Sequence, residues 1–316
     1  MIQCSCISLI SCMNAHSSSI LIVGDTGFIG AHLKRHISTF SPETAVFGFS
    51  RSAGHDVRNF EQISDAVRGK DFVINVAGTP EIHHGWHNIK HIMDVDAIGS
   101  INIMKACVRS NVPLIHISSA DVYGTNLKPG TPMAEDHPLR PKSPRGVAKR
   151  AVETVAMNLI HNDVPVRVLR LFTPYGTEHP SDMRHRRYNY FVARVIRACA
   201  RGEDIIVEED GDRAMDWVCI DDVVEAIWQA RFAQPGVYNI ASGRSHSFNQ
   251  IAQLAVEQAK KISDAGGVSR IVLRNIHSDK DGIFEQCGDP TRFFGETGWR
   301  PRMSLETHIK TQFGDA

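Results

Sequence analysis

Residues 20–30 read Ile20-Leu21-Ile22-Val23-Gly24-Asp25-Thr26-Gly27-Phe28-Ile29-Gly30. Four consecutive apolar residues suit a strand buried on both faces. Three glycines spaced three apart follow, and residues 28–37 then repeat apolar positions at helical spacing. Glycine serves such a passage in three ways. It lets the strand turn tightly, lets backbone approach a pyrophosphate without a Cβ, and lets the helix lie close on the sheet. The amides and dipole of the first helical turn then attract the phosphates. The stretch predicts a dinucleotide loop with Gly24, Thr26, Gly27, Phe28, Ile29 and Gly30 at the cofactor.

The alternation continues along the chain. Strand-like runs at 46–49, 72–76, 113–117 and 166–171 alternate with helical patterns at 60–67, 95–108 and 146–160. Apolar strands separated by helices predict an α/β fold, a doubly wound parallel sheet covered on both faces. After Leu171 the regularity breaks. Residues 174–190 are rich in Pro, Gly, His and Arg and read as a long functional loop. Helical patterns at 191–200, 221–230 and 248–260 and short strands at 205–207, 217–220, 237–240 and 271–273 suggest a smaller mixed lobe. The expected division is a leader over 1–17, read as disordered, and a dinucleotide-binding domain over 18–173 to which 215–240 returns. A substrate lobe takes 174–214 and 241–316.

The 316 residues hold 35 Lys plus Arg against 35 Asp plus Glu, a formal net charge of zero. A general nucleic-acid binder would carry a basic surplus, so none is expected as partner. No run of 18 apolar residues suggests a membrane span. Cys107, Cys199, Cys219 and Cys287 are scattered singly and read as buried thiols; Cys4, Cys6 and Cys12 fall in the leader. Met13 is an alternative start. His87 and His91 stand four apart, but no Glu or Cys accompanies them, so no metal site is expected. A cytoplasmic location is expected.

The end of the second strand bears on cofactor choice. A carboxylate there would bind the adenosine ribose of NAD; this chain has Gly48-Phe49-Ser50-Arg51-Ser52 instead. Nothing repels a 2′-phosphate, and Arg51 can bind one. NADP is therefore expected, with NAD possible, and Ser50 and Arg51 join the cofactor residues.

Several further motifs, in order, carry a family resemblance. The chain from residue 19 to about 308 resembles the extended short-chain dehydrogenase/reductases of the nucleotide-sugar epimerase/dehydratase type. Asp56-Val57 looks like the adenine contact, and Asn75-Val76-Ala77-Gly78 like the motif beside the cofactor. Ser119-Ala120-Asp121-Val122-Tyr123-Gly124 looks like the active-site strand end, and Thr173-Pro174-Tyr175-Gly176 like the entry to the substrate lobe. The stretches 216–222, 238–241 and 298–301 also fit. The resemblance implies a Rossmann domain, a nucleotide-sugar substrate, and a homodimer paired through the helices near 95–108 and 146–160. It also implies a Ser or Thr that orients a sugar hydroxyl, a Tyr that takes its proton, and a Lys four residues later that holds the ribose and lowers the Tyr pKa.

Ser119 and Lys149 match that set. The Tyr position is Arg145. A guanidinium stays protonated and accepts no hydrogen bond, so it cannot be a general base. The family's Asn in the central helix is Asp96 here, which suggests a compensating Arg145–Asp96 ion pair. Asp121 matches the acid/base carboxylate of the family's dehydratases and decarboxylases and is the first replacement candidate. Tyr123 reads as a packing residue. Tyr188, Tyr190, His83 and His84 are weaker candidates. For a diphosphate the substrate lobe offers Arg184, Arg187 and Arg213, with Thr173 and Ser119 beside the sugar. The expected function is an NAD(P)-dependent epimerase/dehydratase-type oxidoreductase on a nucleotide sugar or similar polyol, with an atypical site. The alternative is a catalytically degenerate NADP(H)-binding protein acting as sensor or partner subunit.

Overall fold

The computed structural model describes residues 18–79, 86–126, 128, 130–176, 191–208, 211–262, 270–274 and 285–314. Six parallel strands form the larger sheet: β1 (Ser19–Val23), β2 (Ala45–Phe49), β3 (Phe72–Asn75), β4 (Leu114–Ser119), β5 (Val166–Leu171) and β9 (Gly236–Ile240). Their spatial order is β2-β1-β3-β4-β5-β9. Strand β1 pairs with β2 on one side and β3 on the other, so the winding reverses at its carboxyl end. That is where ligands of such sheets bind.

Alternate residues of β1 feed opposite layers, as the two-residue period of a strand requires. Ile20 and Ile22 pack with Leu33 and Ile37 of α1 (Phe28–Phe40) and with Val224 and Ile227 of α7 (Ile220–Gln229). Leu21 and Val23 point the other way. They share a core with Ile63 of α2 (Phe60–Val67), Ile103 of α4 (Ser100–Ser110) and Val152 of α5 (Pro144–His161). The expected helix over 95–108 is longer and irregular. It starts as α3 (Ile89–Ile92), passes through a π-turn at Met93–Gly99, and continues into α4. Such π segments often mark functional sites.

A second sheet stands beside the carboxyl edge of the first. Its β8 (Ala214–Cys219) pairs antiparallel with β10 (Ser245–Ser247), and parallel with β6 (Thr173–Tyr175) and β12 (Glu285–Gln286). Helices α6 (Phe191–Arg201), α8 (Phe248–Ile262) and α10 (Leu305–Gln312) cover it, with Val195, Trp217, Ile251 and Ile309 in a common core. The return of 215–240 to the larger sheet is made by α7 and β9 alone. Strand β8 stays in the smaller sheet, because β6 and β10 satisfy its edges. Two further strands, β7 (Ile205–Glu208) and β11 (Ile271–Arg274), form a parallel pair, and α9 (Thr291–Thr297) closes the core near β9. Among the described residues no helix is long and apolar enough to cross a membrane.

Candidate active site

The loop between β1 and α1 shows why two of its glycines are required. Gly24 has φ +89°, and a Cβ there would stand 2.8 Å from the Ala77 backbone. A Cβ on Gly30 would collide with the Gly24 carbonyl and lie 2.7 Å from Asp25 Cα. Gly27 differs: its Cβ would meet only the Gly24 oxygen, at 3.4 Å. Its bare face is therefore turned to open space. Gly27 also begins α1 with no side-chain cap, and the first turn carries no acidic residue. Uncapped amides at the positive end of a helix of 13 residues fit a pyrophosphate. Asp25 keeps out of the way, since Lys34 Nζ holds its carboxylate at 2.9 Å. Phe28 and Ile29 pack against the core below.

At the end of β2 the hydroxyls converge. Ser52 Oγ donates to Thr26 Oγ1 at 3.1 Å, and Ser50 Oγ lies 3.1 Å from Ser52 Oγ. Arg51, exposed, opens the short helical turn that follows β2. Three hydroxyls, a guanidinium and a bare glycine turn occupy one corner, which fits the phosphates of a dinucleotide. Nearby, Arg58 grips Asp56 with Nε at 2.9 Å and Nη2 at 2.5 Å, and those bonds hold the Asp56 carboxyl below its usual range. Val57 packs where a Cβ on Gly99 would be.

The segment after β3, Val76-Ala77-Gly78-Thr79, is pinned from two sides. Asn75 Oδ1 accepts from the Ala77 amide at 3.1 Å. Asp96, buried in the π-turn, accepts from the Thr79 amide at 2.6 Å and from Thr79 Oγ1 at 3.1 Å. Asn75 Nδ2 also reaches Ser100 Oγ at 3.2 Å and His116 Nδ1 at 3.1 Å. Burial, then the nearby Lys149 cation, hold His116 well below its ordinary pKa, so it is neutral.

Strand β4 and helix α5 meet at the same end of the sheet. Ser143 caps α5 by accepting from the Gly146 amide at 3.0 Å, and Pro144 stands at its start. This places Arg145 and Lys149 one turn apart on the helix. Lys149, fully buried, donates to the Ile117 carbonyl at 2.8 Å. Ser119 Oγ accepts from the Asp121 amide at 3.2 Å, which leaves its proton available to a substrate oxygen. The expected Arg145–Asp96 pair does not form. Asp96 is taken by Thr79, and Arg145 Nη1 instead lies 3.6 Å from Asp121 Oδ2. Both side chains are partly open, at 29% and 18% exposure. Ser119, Asp121, Arg145 and Lys149 therefore share one site.

Beneath it lies a buried network that sequence reasoning missed. Arg170 Nη2 binds Glu153 Oε2 at 2.7 Å, and its Nε reaches both Glu153 oxygens. Ser118 Oγ donates to Glu153 as well. Arg170 Nη1 donates to Tyr123 Oη at 2.8 Å, and Tyr123 donates to Asn239 Oδ1 at 2.7 Å. Burial pushes the Tyr123 phenol up to about 12. Tyr123 is thus a network member with both roles of its hydroxyl used, as its packing assignment implied. A Glu four residues after Lys149 on a helix was the available signal, since both must face the sheet.

On the substrate side, Thr173 is buried in β6, and Arg213 is half-buried just before β8. Arg184, Arg187, Tyr188, Tyr190, His83 and His84 lie outside the described residues.

Comparison with known proteins agrees with the fold. The chain is 25% identical over 315 residues to a dTDP-glucose 4,6-dehydratase of Streptomyces griseus, covering 92% of this chain and 91% of that protein. Its fold matches a Thermus thermophilus UDP-glucose 4-epimerase in complex with NAD, with a TM-score of 0.80, 21% identity, and coverage of 94% and 99%. It also matches RMD from Pseudomonas aeruginosa complexed with NADPH, with a TM-score of 0.77, 19% identity, and coverage of 94% and 98%. The model of the NAD dependent epimerase/dehydratase family matches residues 20–241. The chain belongs to the NAD dependent epimerase/dehydratase family.

Proposed function

We propose that this chain is an NAD(P)-dependent epimerase/dehydratase-type oxidoreductase acting on a nucleotide sugar or a similar polyol, with NADP preferred. The observation that carries the reading is the convergence of the bare Gly27 turn with Ser119, Arg145 and Lys149 at the carboxyl ends of β1 and β4. The relatives named above support the substrate class. Thr26, Ser50 and Arg51 would hold the 2′-phosphate, Asp56 and Val57 would border the adenine, and Val76, Ala77 and Gly78 would line the floor. A bound dinucleotide supplies a hydride acceptor and donor.

The chain's own residues set the rest. Ser119 donates its free proton to the reacting sugar oxygen and fixes its orientation. Arg145 stands four residues before Lys149, where the family's Tyr is expected, and its guanidinium cannot take a proton. It stabilises negative charge beside that oxygen and holds Asp121. Arg184, Arg187 and Arg213 are proposed for the diphosphate and Thr173 for the sugar. We also propose a homodimer. Ile98, Val108 and Val147 are 51%, 44% and 37% exposed on the outer faces of the π-turn, α4 and α5, and pairing would cover them.

Fluorescence titration with NADPH and NADH, each with and without a panel of nucleoside diphosphate sugars, tests the reading. Tighter NADPH binding, altered by at least one nucleotide sugar, is expected. Failure to bind either dinucleotide would refute it.

A further inference from the structure

We infer that Lys149 Nζ, rather than Asp121 or Tyr123, takes the proton of the substrate hydroxyl, and that Arg145 and Asp96 set its charge. The inference rests on the enzyme reading above.

Lys149 is an unusual cation. Its side chain is 2% exposed, and its hydrogen bond goes to a neutral carbonyl, that of Ile117. Among the described residues no carboxylate reaches ion-pair distance of Nζ. A buried ammonium without such a counter-ion is costly, and losing its proton is the cheapest relief. The amine also lies beside exposed Gly78. A Cβ on Gly78 would stand 4.0 Å from Nζ and 3.8 Å from Asp96 Oδ1, so both groups look onto the same small space above the cofactor floor.

Among the described residues, the main charged or titratable neighbours can be named. Asp96 comes from the π-turn, Arg145 and Glu153 from α5, Asp121 from the turn after β4, and neutral His116 from β4. Burial is the largest influence and lowers the Lys149 pKa to about 8; Asp96 opposes it, Arg145 adds to it, and Glu153 and Asp121 oppose it. About a tenth of the amine is then neutral at pH 7, and about half at pH 8. Two sites where this chain departs from its family's pattern, Arg145 and Asp96, therefore act on one nitrogen with opposite sign.

The other candidates among the described residues are worse acceptors. Arg145 has no lone pair to offer. Tyr123 is buried and bonded on both sides. The Asp121 carboxylate is engaged by Arg145. In the proposed step the neutral amine takes one proton and becomes the ammonium. The oxygen that gives it up becomes the carbonyl oxygen of the oxidised sugar, as the C–H bond of the same carbon breaks and its hydride passes to the oxidised nicotinamide dinucleotide of the reading above. The reverse transfer returns the proton when the ketone is reduced.

The test is a pH titration of the lysine side-chain nitrogens by NMR in isotope-labelled protein. The Lys149 signal is assigned by its loss in Lys149→Arg. A midpoint near 8 is expected. It should rise in Arg145→Gln and fall in Asp96→Asn. The pH midpoint of sugar turnover should move in the same direction in each variant. Measured at saturating NADPH, Lys149→Arg should lose ~10²–10⁴-fold in turnover. A Lys149 midpoint above 10, or one indifferent to Arg145→Gln, would overturn the inference. So would a turnover profile that stays put while the NMR midpoint moves, and then the enzyme reading would stand. Absence of turnover on any sugar would remove the enzyme reading, and the base role with it.

Discussion

Replacing Glu153 by Ala tests the buried network most sharply. Glu153 and Arg170 are 3% and 5% exposed and lie 2.7 Å apart. The carboxylate receives Nε and Nη2 of Arg170 and Oγ of Ser118. Without it, Arg170 keeps only two neutral acceptors, Tyr123 Oη and the Glu135 carbonyl, both at 2.8 Å. A buried cation that loses its carboxylate costs about 3–5 kcal/mol. Against a typical net stability of about 5–15 kcal/mol, that is about a fifth of the total or more. Equilibrium urea unfolding should show the loss as a lower midpoint at unchanged slope. The double variant Glu153→Leu/Arg170→Met should recover most of it, because removing both charges leaves neither unpaired. A single-variant loss below about 1 kcal/mol, or a double variant worse than the single, would refute the reasoning. NADPH affinity should fall in the single variant too, since Glu153 lies one turn from Lys149 and Ser118 adjoins Ser119.

Three more outcomes follow from the geometry. Gly27→Ala should keep its melting temperature but lose NADPH binding in a fluorescence titration, because its Cβ meets only an oxygen at 3.4 Å and projects into the cofactor space; Gly30→Ala should lose both. Arg51→Asp should weaken NADPH binding by tenfold or more and leave NADH nearly unchanged, as calorimetry would show; equal losses would remove the 2′-phosphate assignment. Lys149 is pushed down to about 8 from 10.5, so between those values the unfolded chain holds a proton that the folded chain lacks. Stability from this group therefore rises with pH through that window, by roughly 3 kcal/mol in all. The stability difference between wild type and Lys149→Met should shift by that order from pH 8 to pH 10.5, whereas a flat difference would contradict the burial argument.

Much of this was legible in the chain. The apolar run before Gly24 and the three-residue glycine spacing dictate strand, turn and helix locally, so the dinucleotide loop needs no tertiary information. Ser119 and Lys149 were matched through the family resemblance, and both stand at the carboxyl end of β4. What stayed hidden was set by long-range packing. The partner of Arg145 is decided by how the turn after β4 meets α5, which brings Asp121 within 3.6 Å, whereas Asp96 was suggested by its pairing with Arg145 as a second departure from the resemblance. Thr79 claims Asp96 through a backbone amide, a donor that residue identity cannot reveal. The Glu153–Arg170–Tyr123–Asn239 network spans 116 residues between Tyr123 and Asn239 and closes only when β5 and β9 join the sheet. The placement of β8 in the smaller sheet follows from which edges β6 and β10 satisfy, and short strands carry no label for that.

The central proposal is that this site, with Arg145 four residues before Lys149, changes a nucleotide sugar. The most direct measurement incubates the purified protein with NADP(H), and separately NAD(H), with a panel of nucleotide sugars, and follows the sugar resonances by NMR. This detects epimerisation that leaves no net change in the cofactor. A new sugar species that disappears in Lys149→Arg is the predicted result. An unchanged panel with the cofactor bound would contradict the account and make the chain a binding protein that senses the dinucleotide.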